Sequence, residues 1–219
     1  MAIDYTKRPA GGSTGTVLLT KSKPSVSLHK QATGVLRVNL NWNARPAPKS
    51  AGGLLRQWLA PAAIDLDLGC LYEFTDGSKG VVQALGNSFS ASPEGVWDKV
   101  VWLDGDDRSG AGTAGENLFV DLAHATRIRR IVVFAFIYEG VPNWAAADGV
   151  VTLHPATGPA IEVRLDEPRD NARMCAVAMI EQSGEHGLTV RREVRYLDGG
   201  QQRLDQEYGW GLRWTAGRK

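Results

Sequence analysis

The residues with the most distinctive chemistry lie in one acidic, glycine-rich stretch, residues 104–116. Asp104, Asp106 and Asp107 place three carboxylates within four positions, and glycines and alanines follow them. Such a loop is costly unless a cation or a set of backbone N–H groups neutralises it. Oxygen ligands on a flexible backbone suit Ca²⁺ better than a transition metal. We therefore predict that this stretch is the functional centre.

A second pair of acids makes the calcium hypothesis more than a local cluster. Asp65 and Asp67 lie two positions apart in an alternating segment, so both carboxylates project from the same face of a strand. If that strand end lies beside the Asp104 loop, these carboxylates and Glu116 converge. Loop carbonyls such as that of Gly105 then complete an oxygen shell of about six to eight ligands. The alternative is a pair of polar residues on the solvent face of an ordinary strand.

Two better-known loop motifs fit the stretch poorly. Residues 110–115 match the bare G-x-G-x-x-G pattern, but they lead into an alternating strand and lack the acidic residue about twenty positions later. An EF-hand loop beginning at Asp104 would have Arg108 in its fifth position and Gly115 in its twelfth. Any calcium site here must therefore have another geometry.

The elements that must position these residues are short strands. Period-two alternation and turn signals, such as Asp76-Gly77, recur along the chain, while no long amphipathic helix is evident. The predicted strands are 17–19, 35–42, 64–74, 79–85, 99–103, 117–122, 130–138, 149–154, 160–165, 174–181, 188–196 and 212–214. This pattern predicts an all-β fold, an antiparallel β-sandwich of two packed sheets with long loops and few short helices, one of them at 123–126. The apolar strand 130–138 is expected to be central and covered on both faces.

The simplest partition is a flexible N-terminal tail over residues 1–25 and a single domain over residues 26–219. A proline-rich loop at 44–63 interrupts the domain, and its 53–59 segment is predicted to form a helical turn or a mobile flap.

The composition argues against several classes of protein. The 25 basic and 24 acidic residues give a net charge of +1, so nucleic acid is not a favoured partner. The longest apolar run, 131–138, is too short to span a bilayer, and the N-terminus lacks the core of a signal peptide. Cys70 and Cys175 lie far apart, which favours two buried thiols in a reducing compartment over a disulfide. We expect a soluble cytoplasmic protein.

Taken together, the acidic motifs resemble those of the tellurium-resistance TerD family, and most closely of its TerA-type members. The segments that carry the resemblance are 65–67, 105–112, 116–122, 130–140, 141–144 and 208–211. The resemblance runs from about Val26 to the C-terminus. It implies a calcium-binding β-sandwich used in bacterial tellurite and chemical-stress resistance, with no settled enzymatic activity. It also implies ligands at Asp65, Asp67, residues 105–107 and Glu116.

The chain departs from the family pattern in ways that bear on the number of ions. The family commonly has Gly-Asp-Asp-Glu before the strand, whereas this chain has Thr113-Ala114-Gly115-Glu116. Asp107 stands where Asn is usual, and Asp104 adds a carboxylate. One strong site with the second lost is one outcome, and a degenerate site that binds metal weakly is the other.

The leading hypothesis is a non-enzymatic calcium-binding stress protein, with one Ca²⁺ site rather than two, that acts with other proteins of the same resistance system. The first alternative is a metal-dependent phosphoester hydrolase, for which no base or nucleophile stands out. The second is a calcium-dependent glycan-binding module that uses Trp144 as a stacking platform.

Overall fold

Alternating side chains build the strands that the sequence predicts. In β3, Leu36 and Val38 are fully buried while Arg37 between them is half-buried. The computed structural model describes residues 15–28, 33–44, 64–104, 115–140, 144–169, 171–184 and 187–215. Within these ranges the strands are β1 Thr16–Leu18, β2 Ser25–Ser27, β3 Val35–Asn41, β4 Asp65–Phe74, β5 Lys79–Val82, β6 Ser90–Ala91, β7 Val101–Leu103, β8 Glu116–Asp121, β9 Ile128–Glu139, β10 Gly149–His154, β11 Ala160–Leu165, β12 Met174–Ser183 and β13 Gly187–Leu197.

The strands form two sheets. Sheet A has seven strands in the order β1-β11-β10-β3-β8-β7-β6, and sheet B has six in the order β2-β13-β12-β9-β4-β5. The pairing between β1 and β11 is parallel, and the other strand pairs of the described residues are antiparallel. Apolar side chains of both sheets share one core, among them Leu40 and Leu118 from sheet A and Leu66 and Ile131 from sheet B. The predicted antiparallel β-sandwich is confirmed.

Strand β9 is covered on both faces, as its apolar sequence predicts. Ile131 and Val133 face the core between the sheets. Val132 and Phe134 face a second, smaller core on the outside of sheet B. Every residue at positions 131–135 is buried, which explains why this part of the strand is apolar throughout.

The second core depends on a helix that the sequence patterns did not predict. Helix α2, Gln201–Tyr208, buries only Leu204 and Asp205 and is otherwise polar, so it has little apolar periodicity to detect. The predicted strand at 212–214 is wrong. These residues are held by the Asp205 carboxylate, which accepts hydrogen bonds from the backbone of Gly211 and Leu212 and from the indole of Trp214.

The N-terminal part of the sandwich begins earlier than residue 26. Strand β1 pairs with β11, which places Thr16–Leu18 in sheet A. Leu19, directly after β1, is only 2 % exposed. Residues 1–14 and most of the 44–63 loop, including its predicted helical turn or flap, lie outside the described residues.

The remaining helices are short. A 3₁₀ helix covers Leu122–Arg127, which includes the helix predicted at 123–126, and α1 covers Trp144–Ala147. In the part of the chain that the structure describes, no helix has the length and hydropathy needed to cross a membrane. Cys70 and Cys175 are both buried free thiols, as predicted.

Candidate metal centre

The first half of β4 lies at an edge of sheet B. Strand β9 pairs with β4 along its whole length, from Asp65 to Phe74. On the other side, β5 pairs with β4 only from Cys70 to Glu73. The segment that contains Asp65 and Asp67 therefore extends beyond the end of β5.

Glu116, the first residue of β8, reaches across the sandwich to this edge. Leu118 and Val120, the alternate residues of β8, lie in the inter-sheet core, so Glu116 also points toward sheet B. Its Oε2 accepts a hydrogen bond from the backbone N–H of Leu68. The carboxylate is largely buried, with Glu116 7 % exposed. The two sheets are thus joined one residue away from Asp67.

Asp67 is not a solvated residue on an open sheet face. It is only 8 % exposed, whereas Asp65 is half-buried. A register shift between Asp65 and Leu66, opposite Tyr138 of β9, distorts the start of the strand. The reading of both acids as ordinary solvent-facing residues is therefore wrong for Asp67.

Asp104, the first residue after β7, is fastened to the start of β8. Its backbone N–H donates to Asn117 O at 3.2 Å, and its Oδ2 accepts from Asn117 Nδ2 at 2.7 Å. Burial raises the pKa of the Asp104 carboxyl, while the hydrogen bonds from Asn117 and the charge of Arg37 act in the opposite direction. A carboxylate with this environment gains from a nearby cation.

Behind Asn117 lies a row of amides. Asn39 of β3 donates from Nδ2 to Asn117 Oδ1 at 2.9 Å and to Glu116 O at 3.3 Å. Asn41 donates in turn to Asn39 Oδ1 at 2.6 Å. The sequence patterns did not single out these asparagines. Their alternation at 39 and 41 was visible, but their partner at 117 is 78 residues away.

Gly115 makes the entry into β8 possible. Its φ of +65° lies in the left-handed region, and a Cβ there would be 2.1 Å from Leu40 O and 2.8 Å from Asn41 Oδ1. The backbone of Gly115 therefore lies directly against β3, and a side chain has no room at this position.

Some of the predicted ligands lie among the described residues, and others do not. Asp104 directly follows β7 and Glu116 begins the neighbouring strand β8, and Glu116 accepts from the N–H of Leu68, next to Asp67. Gly105, Asp106 and Asp107 belong to 105–114, which lies outside the described residues. Among the described residues, no three His, Cys, Asp or Glu side chains are grouped so that they alone could hold a metal. A site here needs ligands from the 105–114 segment.

Trp144 cannot act as a stacking platform. It is fully buried in α1, its Nε1 donates to Ala172 O at 2.7 Å, and its ring packs edge-on against Tyr196 at 5.4 Å between centroids. The prediction that Trp144 offers a platform for a glycan is therefore wrong, because the indole fills the core.

The comparisons with known proteins agree with the motifs. The chain is 42 % identical over 210 residues to the tellurium resistance protein TerA of an Alcaligenes species, a match that covers 94 % of this chain. The chain spans 59 % of the length of that relative. No family model matches the chain.

Two solved structures share the fold. A protein of unknown function, SAV2460, superposes with a TM-score of 0.57 and 16 % identity, over 84 % of this chain and 100 % of its own. A homologue of the telluride resistance protein TerD from Streptomyces coelicolor A3(2) gives a TM-score of 0.54 and 19 % identity, over 79 % of this chain and 95 % of its own. The chain is thus similar over most of its length to the tellurium resistance protein TerA, and it shares its fold with the two solved structures.

Proposed function

We propose that the chain is a non-enzymatic, calcium-binding protein of the tellurite-resistance type that works with protein partners in a bacterial stress response. The observation that carries the calcium site is the bond from Leu68 N–H to the Glu116 carboxylate, which joins two acidic segments 48 residues apart at one end of the sandwich. The relative's name supports the resistance role.

The chemistry of the donor set suits a hard cation. Asp65, Asp67, Asp104 and Glu116 offer carboxylate oxygens only, and Gly105, Asp106 and Asp107 would add carbonyl and carboxylate oxygens from the intervening segment. Oxygen-rich sites of mixed carboxylates and carbonyls are typical of Ca²⁺. When bound, the ion would neutralise the largely buried carboxylates of Asp67 and Glu116.

One ion fits this chain better than two. The family pattern has an acid at the position of Gly115, whereas here the nearest backbone and side-chain atoms leave no space for a Cβ. A ligating side chain therefore has no room at position 115, because the backbone there lies too close to Leu40 and Asn41.

The partners of the buried acids support binding rather than proton transfer. Asp104 accepts from an amide side chain, and Glu116 accepts from a backbone N–H. Neither of these two donors titrates, and each fixes the position of the carboxylate, as metal binding requires.

Calorimetric titration of the chelator-treated chain with CaCl₂ tests the proposal. Wild type is expected to give a saturable heat for one ion, and Asp67→Asn is expected to weaken the affinity. Asp98→Asn is the matched control, since Asp98 is exposed in the loop before β7. A wild-type chain without saturable heat, or an Asp67→Asn chain that binds as tightly as the control, would reject the calcium site. Turnover of phosphoesters with Mg²⁺ or Mn²⁺ that disappears in Asp67→Asn would favour the hydrolase.

A further inference from the structure

Strand β1 is a short outer strand of sheet A that pairs in parallel with β11. Its three residues, Thr16–Leu18, are aligned with residues 160–162. Directly after β1, Leu19 N–H donates to Glu162 O at 3.0 Å. Parallel pairs are slightly less stable per residue than antiparallel pairs. Because β11 is remote from β1 in the sequence, the β11 strand of another copy presents the same edge to β1.

The next strand, β2, is attached more firmly to the edge of sheet B. Ser25–Ser27 pair antiparallel with β13. Two further backbone bonds lengthen this ladder, from Arg192 N–H to Pro24 O at 2.7 Å and from Leu28 N–H to Leu188 O at 2.8 Å. The chain before Pro24 can therefore move while β2 keeps its place.

The turn between β1 and β2, residues 20–24, bonds largely to itself. Thr20 N–H donates to Lys23 O at 3.1 Å, and Lys23 N–H donates to Thr20 Oγ1 at 3.1 Å. Lys21 forms an ion pair with Glu167 at 3.2 Å, but the Lys21 side chain is 80 % exposed, so the pair contributes little. Because residues 21–24 are exposed, this turn can open without disturbing the core.

The place that β1 occupies must nevertheless be filled. Leu19 is 2 % exposed and lies in the inter-sheet core together with Ile161, and Val17 packs against the same core. Without β1, these apolar groups would meet water and the outer edge of β11 would present unpaired backbone groups. The occupant that restores both the packing and the backbone bonds is β1 of a second copy of the chain.

We propose that β1 exchanges between two copies of the chain, so that β1 and Leu19 of each copy complete sheet A of the other. The exchanged contacts are the same as those within one chain. The balance between monomer and dimer therefore depends on protein concentration and on the turn that connects β1 to β2. The exchange uses none of the acids of the proposed calcium site, so it stands or falls independently of calcium binding.

Disulfide trapping between two different variants tests the exchange. Val17 and Ile161 are register partners, and paired strands lie about 4.8 Å apart, a separation that a disulfide can span. Val17→Cys and Ile161→Cys chains are mixed at high concentration and oxidised. The mixture should give a covalent dimer in which mass spectrometry finds a link between positions 17 and 161. A mixture without this link rejects the exchange.

The controls for the trapping experiment are each variant alone and wild type. Neither variant alone should give the dimer, because its new thiol faces Ile161 or Val17. Wild type should give none either, since Cys70 and Cys175 are buried. Circular dichroism checks the fold of each chain. If Ile161→Cys does not fold, the adjacent register partners are used instead, as Thr16→Cys and Ala160→Cys.

The length of the turn gives a second measurement, by size-exclusion chromatography with light scattering. Deletion of Ser22 should raise the dimer fraction, because a shortened connection returns to its own sheet A less easily. Insertion of two glycines after Ser22 should lower it. The matched control is insertion of two glycines after Gly86, in the exposed turn after β5, which should leave the dimer fraction unchanged. Equal dimer fractions for the shortened and the lengthened turn would contradict the proposal.

Discussion

The carboxylate of Glu116 accepts the backbone N–H of Leu68, and this bond links sheet A to the open edge of sheet B. Glu116→Ala should leave the Leu68 N–H without its acceptor, and the free energy of unfolding should fall by about 1–3 kcal/mol. Glu116→Gln keeps an acceptor oxygen but removes the charge. The free energy of unfolding of Glu116→Gln in urea should therefore be closer to that of wild type, but this variant should bind calcium more weakly. Equal stability of the two variants would show that the bond to Leu68 contributes little.

The buried Asp205 carboxylate anchors the C-terminal segment over the outer face of sheet B. It accepts from Gly211 N at 2.6 Å, Leu212 N at 2.8 Å and Trp214 Nε1 at 2.6 Å. Asp205→Ala should lower the free energy of unfolding in urea by about 3 kcal/mol or more, because several donors lose a charged acceptor at once. The free energy of unfolding of Asp205→Asn should lie between those of Asp205→Ala and wild type. Calcium affinity should be unchanged in both variants. An Asp205→Ala variant as stable as wild type would contradict this role.

Asp76 in the turn between β4 and β5 gives a defined pH dependence. Its pKa is lowered from 3.8 by hydrogen bonds from the hydroxyl and N–H of Ser78, and further by Glu94 N–H and the charge of Arg127. Since the folded pKa lies below the unfolded one, the stabilisation is present above about pH 4 and is lost as the pH falls through the folded pKa. The urea midpoint of wild type should therefore drop more steeply below pH 4 than that of Asp76→Asn. Parallel profiles for the two chains would contradict the assignment.

Trp97 is the most exposed large apolar side chain among the described residues. It is 99 % exposed, yet its loop is held by bonds from Glu94 N–H to Asp76 and from Ser92 Oγ to Asp98 O. An exposed tryptophan on a fixed loop is typical of an interaction hot spot. Under the proposed function, Trp97→Ala should reduce tellurite tolerance in a complementation assay relative to wild type, with calcium affinity unchanged.

The control for Trp97 is Leu18→Ala, since Leu18 is the other large apolar residue among the described ones that is strongly exposed, at 43 %. It should restore full tolerance. If Trp97→Ala also restores full tolerance, Trp97 is not needed for a partner contact.

The strands were predictable because their burial is periodic. In β4 the alternate residues Leu66 and Leu68 face the core, and the adjacent acids stand out against them. In β9 a nearly unbroken apolar run corresponds to the strand with a core on each face. Local patterns of this kind depend on a single strand and its two faces.

What the sequence patterns missed depends on contacts between distant residues. Helix α2 buries two residues only, so its register is set by Asp205 and the segment that follows rather than by periodicity. The side chain of Asn39 donates to that of Asn117, and the two residues become neighbours only when β3 and β8 pair. Core packing is the usual role of a tryptophan, and the Trp144 indole donates to Ala172 O in the core, which excludes the alternative of a stacking platform.

The most direct test of the shared calcium site is a CaCl₂ titration of the chelator-treated chain followed by backbone amide NMR. The amides of Asp67 and Leu68 on β4 should shift with the same midpoint as those of Asp104 and Glu116, and the changes should saturate at one ion per chain. If only one of the two segments shifts, if their midpoints differ, or if neither saturates, the two acidic segments do not share an ion.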